Sequence, residues 1–385
     1  MKKLVNMTSP SVTRRSMLGI MAVAGMTTAL VGCGSSSDGS SSTDSSSSGE
    51  SESAIPGAYD AGGAELVIST WGFNSEENRE YVFAPFEKAF NCTITTDEGN
   101  NGARLTKLQQ TPDAYDVVQF SDYFMQSAIA GDLIAEVDQS VLADNLEHVY
   151  EQAKAPNGET YGPAFTFNRL GIIYDKSAIS DPITSWADLW RDDLVGQITI
   201  PDFSTTAGPW MLNIAADQLG VTLSEDNAEQ CIQKLAEMKQ NIVTFYSTSS
   251  DVVNMFNQGE VSVAVLQDFS SQAIQAASDD FVWVDPTEGT WGGTNVTGIS
   301  KSSKNYDLAM AFVNYTIDKD MQQRDVNVGN APTRDDVTLT DEQAKSMTYG
   351  KDVVDTIQMP DLQLLLDNRS NWQDLWNTEL NTSAS

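Results

Sequence analysis

Histidine and cysteine are scarce in this chain of 385 residues: His148 stands alone, and the cysteines are Cys33, Cys92 and Cys231. A Ser-His-Asp hydrolase would depend on that one imidazole, and no G-x-S-x-G elbow accompanies it. There is no C-x-x-C, no H-E-x-x-H and no cluster of His and Cys, which excludes the usual transition-metal frameworks. With no G-x-x-x-x-G-K-[ST] phosphate cradle either, neither a nucleotide nor any other cofactor is expected. Basic residues are also few: 22 Lys and Arg stand against 54 Asp and Glu, a net charge of −32. Phosphate binding needs Lys and Arg, so nucleic acid is not an expected partner. The acidity serves solubility, and if focused in a cleft it would also attract cationic solutes.

What basic charge there is gathers partly at the start. Lys2, Lys3, Arg14 and Arg15 precede an apolar and small-residue run over 17–32 that is too short for a confident membrane span, the pattern of an export signal over residues 1–32. Thr13-Arg14-Arg15-Ser16-Met17-Leu18 resembles a twin-arginine signal, and Leu30-Val31-Gly32-Cys33 resembles a lipobox, whose cysteine becomes acylated. Cys33 is therefore the predicted lipid anchor, holding the protein to the membrane on its periplasmic or extracellular face. Residues 33–63 are Ser- and Gly-rich and hold too little apolar surface to offset their chain entropy, so they read as a disordered tether. Without residues 1–32 the chain has 18 basic against 54 acidic residues, a net charge of −36.

From Glu65 onward strand-like and helix-like segments alternate, which argues for α/β layering, and about 320 residues suit two lobes better than one core. Strands are expected at 66–69, 92–96, 116–120, 165–174, 197–200 and 294–299. Val261, Val263 and Val265 alternate as a half-buried strand would. Asn74 followed by Glu77 resembles a capping box, Ser121 stands where a helix cap would, and Pro209 fits a first helical turn. His148 lies in a helical-looking segment, and Gly292-Gly293 suggests a tight bend. The spacing leaves open whether Cys92 and Cys231 pair. Trp71, the 99–102 segment and 121–123 fall at or beyond strand carboxyl ends, the edge where open α/β sheets bind ligands.

The order of these motifs resembles the bacterial extracellular solute-binding proteins of ABC importers, and among them the spermidine/putrescine-binding proteins. The likeness runs over nearly all of 66–380. It rests on Tyr115-Asp116-Val117-Val118 with Ser121-Asp122-Tyr123, on Thr184-Ser185-Trp186-Ala187-Asp188-Leu189-Trp190 with Gly196 beyond, and on Gly259-Glu260-Val261. The resemblance implies an α/β periplasmic-binding-protein type II fold, with two lobes joined by crossing strands and closing on a ligand at a hinge. The expected division is 64–163 with 295–335 as one lobe and 164–294 with 336–380 as the other. The expected partners are a polyamine, an ABC permease in the membrane and the membrane itself through the lipid, with the protein a monomer and not an enzyme.

For the site, Trp71, Tyr123 and Trp291 are expected to offer aromatic faces to the ligand's methylenes or charge, though Trp71 and Tyr123 read equally well as core. Asp202 lies where the family places an amine-binding carboxylate, with Asp268 as a second negative charge. Ser121, Thr205 and Asn295 would supply neutral hydrogen bonds, although capping its helix is the simpler role for Ser121. This sequence departs from the family at Ser204-Thr205-Thr206, where more acid is usual; at Gly293-Thr294-Asn295, where aromatic-x-Asp is usual; and at Gln267, where the family often has Trp. Asn lacks the charge that offsets an ammonium's desolvation. A second ligand class therefore stays open: hydroxyls and free N–H groups over 204–208, ahead of a helix, suit a carboxylate, phosphonate or phosphate. An exported enzyme and a surface adhesin or scaffold are the alternatives from other classes.

Overall fold

The computed structural model describes residues 55–381. The predicted signal and Cys33 lie outside the described residues. Twelve strands are found: β1 (Glu65–Thr70), β2 (Thr93–Glu98), β3 (Val117–Ser121), β4 (Ile134–Ala135), β5 (Ala164–Asp175), β6 (Ile198–Pro201), β7 (Ile242–Tyr246), β8 (Val263–Gln267), β9 (Phe281–Val284), β10 (Thr290–Ser300), β11 (Ala331–Pro332) and β12 (Ile357–Gln358). They form one curled sheet in the order β2-β1-β3-β10-β5-β8-β6-β7.

The parallel trio β2-β1-β3 and the parallel set β8-β6-β7 are each fed by helical crossovers, the α/β pattern expected from the alternation. Between them run the two longest strands, antiparallel to one another. The first part of β5 pairs with β10 and β11, whereas Leu170–Asp175 pairs with β8 and β9. Likewise β10 begins beside β12 and ends between β3 and β4. These two strands carry the sheet from one half of the molecule to the other, the kind of crossing that the resemblance implies.

Strand β5 is buried along almost its whole length, and β8 is buried on both faces, unlike the half-buried strand that its alternating valines suggested. A central strand has neighbours on both sides and helices on both faces, so its polar-looking positions are also covered. Phe86, Phe90, Phe312 and Tyr315 pack one half, with Phe86 and Phe90 stacked at 4.3 Å. Trp186, Trp210, Trp372 and Trp376 are fully buried in the other. Burying side chains of this size stabilises by ~1.5–3 kcal/mol each relative to exposure. The C-terminal helix Leu362–Glu379 buries Leu365, Asn368, Trp372 and Trp376, spaced three, four and four residues apart along one face.

Several local expectations are corrected. The tether was expected to extend to Gly63, but residues 55–63 are docked: Ala61 and Gly63 donate to the Phe90 and Asn91 carbonyls, and Tyr59 meets Phe90 edge-on at 5.4 Å. Asn74 adopts a left-handed conformation (φ 47°), and its amide donates to the Val328 carbonyl at 2.6 Å instead of capping its helix. Gly292-Gly293 is no bend but the middle of β10, where a Cβ at Gly293 would sit 2.6 Å from the Trp210 ring. Cys92 and Cys231 are both buried and do not pair with one another. Helix Gln139–Leu146 ends before His148, which is half-exposed and 3.1 Å from Asp335. Among the described residues, no helix is long and apolar enough to cross a membrane.

Candidate functional site

The carboxyl ends of β1 and β3, the middle of β10 and the loops after β6 and β8 converge between the two halves. Trp71 follows β1, Ser121 ends β3, and Asn295 is the register partner of Ser121. From the opposite half, the loop over 202–208 reaches the end of β3 and Asn101. The Thr206 hydroxyl donates to the Ser121 hydroxyl at 3.1 Å, and the Asn101 amide donates to Thr206, also at 3.1 Å. Phe73 and Phe269 meet edge-on at 5.2 Å, a second bridge between the halves. The described conformation is thus one in which the halves touch.

Ser121 occupies the N-cap position of helix Asp122–Ala130, yet its side chain makes no cap bond. Asp122 does part of that work, since its Oδ1 accepts from the Tyr123 N–H at 2.7 Å. The Ser121 hydroxyl is thereby left for the contact with Thr206, so the simpler role expected from the sequence is not the one it plays.

The two aromatic faces expected to meet a ligand already meet guanidinium groups of the chain. Arg104 lies 4.6 Å from the ring of Trp71 and 4.8 Å from that of Phe120. It is buried, donates to the Gly99 and Gln119 carbonyls and to Asn101, and burial pulls its pKa down to about 9. Arg369, on the C-terminal helix, lies 4.4 Å from the Tyr123 ring. One terminal nitrogen of Arg369 donates to the Phe203, Ser204 and Thr205 carbonyls at 2.9 Å each, and the other, Nη1, is buried without an acceptor. Burial lowers its pKa too, because the charged form is the one that loses water. Arg369 therefore straps the 202–208 loop to helix Asp122–Ala130.

Among the carboxylates, Asp268 is corrected. It is fully buried and accepts from Arg169 Nη1 at 3.1 Å, from the Thr348 hydroxyl at 2.7 Å and from the Arg169 and Phe269 amides, so no ammonium-binding capacity remains. Asp202 is half-buried; its Oδ1 accepts from the Ser204 amide and hydroxyl, while Oδ2 receives no donor among the described residues. Thr205 is spent on its own turn, donating to the Asp202 carbonyl and accepting from Gly208. Gly208 is required there, since a Cβ would lie 2.2 Å from the Asp202 carbonyl oxygen. Gln267 ends β8, half-buried. Trp291 is drawn away by Asp217, which accepts from its indole N–H at 2.6 Å.

Beside this convergence lies a cavity of about 550 Å³, a size in the range of small-molecule sites. Its walls come from helix Asp122–Ala130, the turn at Pro156-Asn157, Thr294 of β10 and the segment Met359-Pro360 leading into the C-terminal helix. Sequence reading passed over Asp122, Asn157, Arg104 and Arg369. The one available signal was the acid between Ser121 and Tyr123; nothing local marked the others.

Residues 82–349 match the family model described as bacterial extracellular solute-binding protein. A spermidine/putrescine-binding periplasmic protein of Haemophilus influenzae is 24% identical over 274 residues, covering 70% of this chain and 72% of its own. The crystal structure of an ABC transporter protein from Clostridium perfringens is 38% identical, with a TM-score of 0.73 over 82% of this chain and all of the other. The binding protein AgtB of Agrobacterium tumefaciens R10, solved with agropinic acid, shares the fold at 19% identity, with a TM-score of 0.67 over 83% of this chain and 99% of its own.

Proposed function

Because this chain belongs to the family of bacterial extracellular solute-binding proteins, we propose that the solute it captures is a polyamine, taken up where its two halves meet. The protein is the substrate-binding component of an ABC transporter and not an enzyme, so its work is to hold a small solute and meet the permease. The polyamine reading draws support from the curated relatives, which are named for spermidine and putrescine at about 25% identity. The observation that carries it is Asp202, whose Oδ2 has no donor among the described residues, on the loop whose Thr206 meets Ser121 at the end of β3. The lobes in this reading are 64–163 with 295–335 and 164–294 with 336–380, hinged on β5 and β10. A lipid on Cys33 and export through the twin-arginine signal would keep a monomer at the membrane face near its permease.

One observation favours an anionic solute instead. Arg369 Nη1 is buried with no acceptor, beside hydroxyl-rich residues 204–206, and a neighbour in fold was solved with agropinic acid. Thermal melting separates the two. With putrescine or spermidine at 100-fold over Kd, binding adds ~2.7 kcal/mol, a rise of roughly 5 °C for a protein of this size. Asp202→Asn is expected to shrink that rise. Stabilisation by a carboxylate or phosphonate, with no response to either amine, would sink the polyamine reading and leave the anion.

A further inference from the structure

We propose that the cavity at the hinge strand receives a primary ammonium group, with the Asp122 carboxylate and the Asn157 side-chain oxygen as its acceptors. This inference rests on the amine reading above and adds a second ammonium position to it, since Asp202 does not line this cavity.

The argument begins with Asn157, which is 8% exposed and lines the cavity. Its Nδ2 donates to the Asp122 carbonyl at 2.8 Å and to Gln126 Oε1 at 3.0 Å. A carbonyl oxygen only accepts, so the amide orientation is fixed by its neighbours and Oδ1 must face away from them. That Oδ1 is buried with no donor. A buried acceptor left unmatched costs ~1–3 kcal/mol, so the site gains whatever donor enters.

Asp122 supplies the charge. Its carboxylate is buried and is held by the Tyr123 amide, the Thr294 amide at 2.9 Å and the Thr294 hydroxyl, with no ion pair among the described residues. Burial pushes its pKa up to about 6, the mark of a carboxyl whose charge the protein does not itself balance. An ammonium is all donor, so it suits two acceptor residues that line one cavity, and it repays the desolvation of the acid. The rest of the wall is mixed: Pro156, Met359, Pro360 and Leu362 offer apolar contact to a methylene chain, beside the amides of three glutamines. A carboxylate carries no donor for either acceptor, and it and a phosphate alike would face like charge.

The position also couples binding to the fold. Asp122 and Asn157 belong to one half, Met359 to Leu362 to the other, and Thr294 to the strand that crosses between them. A solute in this cavity would touch both halves and the hinge.

Calorimetry with putrescine tests the assignment on the intact protein. Asp122→Asn is expected to weaken putrescine about tenfold or more. Met359→Trp, which fills the cavity without touching either acceptor, is expected to do the same. The side-chain amide resonances of Asn157 should move with putrescine along the same binding curve, a response that a purely structural Asp122 would not give. If putrescine binds Asp122→Asn and Met359→Trp as it does the parent, and only Asp202→Asn loses affinity, this site is overturned while the polyamine reading stands. If no amine binds at all, both fall together.

Discussion

A carboxyl taken out of water takes its behaviour from whatever it meets, and the three most deeply buried of the aspartates here meet different things. Asp268 meets Arg169 and is neutralised by it. Asp122 meets only amide and hydroxyl donors. Asp325 meets the Asn330 amide and is held up near pKa 7 by burial. For Asp325 the folded state keeps a proton that the unfolded chain loses above about pH 4. Its contribution to stability is therefore full below that pH and is lost as pH rises through about 7, with a slope of up to ~1.4 kcal/mol per pH unit. Asp122, at about 6, changes stability in the same direction. Urea unfolding across pH 4.5 to 7.5 should show stability falling, and Asp325→Asn should fall less steeply by ~1 kcal/mol or more. Equal slopes in the two proteins would remove Asp325 from the account. None of this was legible in the sequence, which singled out Asp268 for a ligand because Arg169, 99 positions away, cannot be seen beside it.

At the scale of elements, the local signals held where the partners are close in sequence and failed where they are not. Ser185 caps its turn within three residues, in a capping box with Asp188. Asn74 has the residue type of a cap but spends its amide on the carbonyl of Val328, and Ser121 spends its hydroxyl on Thr206. Two bridges of this kind now hold the halves together: Ser121 and Asn101 to Thr206, and Phe73 to Phe269. A hydrogen bond of this type contributes ~1 kcal/mol and an aromatic pair about as much. Combining Thr206→Val with Phe269→Ala should thus move an open-closed equilibrium by ~2 kcal/mol, on the order of thirtyfold toward open. Distances between spin labels placed on the two halves, measured without solute, would register the shift; an unchanged distribution would show that these contacts do not hold the molecule closed. Glycine at 293 shows the same limit from the other side. Its sequence suggested a bend, but what demands glycine is the approach of Trp210 and Asp122 from other elements.

Over the whole molecule, the acidic excess sets how a charged solute arrives. With the predicted signal removed the net charge is −36, and long-range attraction of a cation is screened beyond ~8 Å at physiological ionic strength. If the solute is a polyamine, its association rate should fall several-fold between 20 mM and 300 mM salt while dissociation changes little; an anion should show a rising rate instead. Stopped-flow measurement of putrescine binding distinguishes the two by the sign of the slope alone.

The sequence by itself determined the α/β class, the positions of six of the twelve strands to within two residues, the family, and the absence of the usual hydrolytic and metal motifs. Those follow from periodicity and motifs, which are properties of neighbouring residues. Only the tertiary structure decided what each charged side chain does. Arg104 and Arg369 occupy the faces of Trp71 and Tyr123, Arg169 consumes Asp268, and Asp122 sits with Asn157 and Thr294 at a cavity. Those partners come from segments as much as 246 residues apart, and the free energy of a buried charge depends on which groups replace its water. That replacement is settled by packing, not by spacing along the chain.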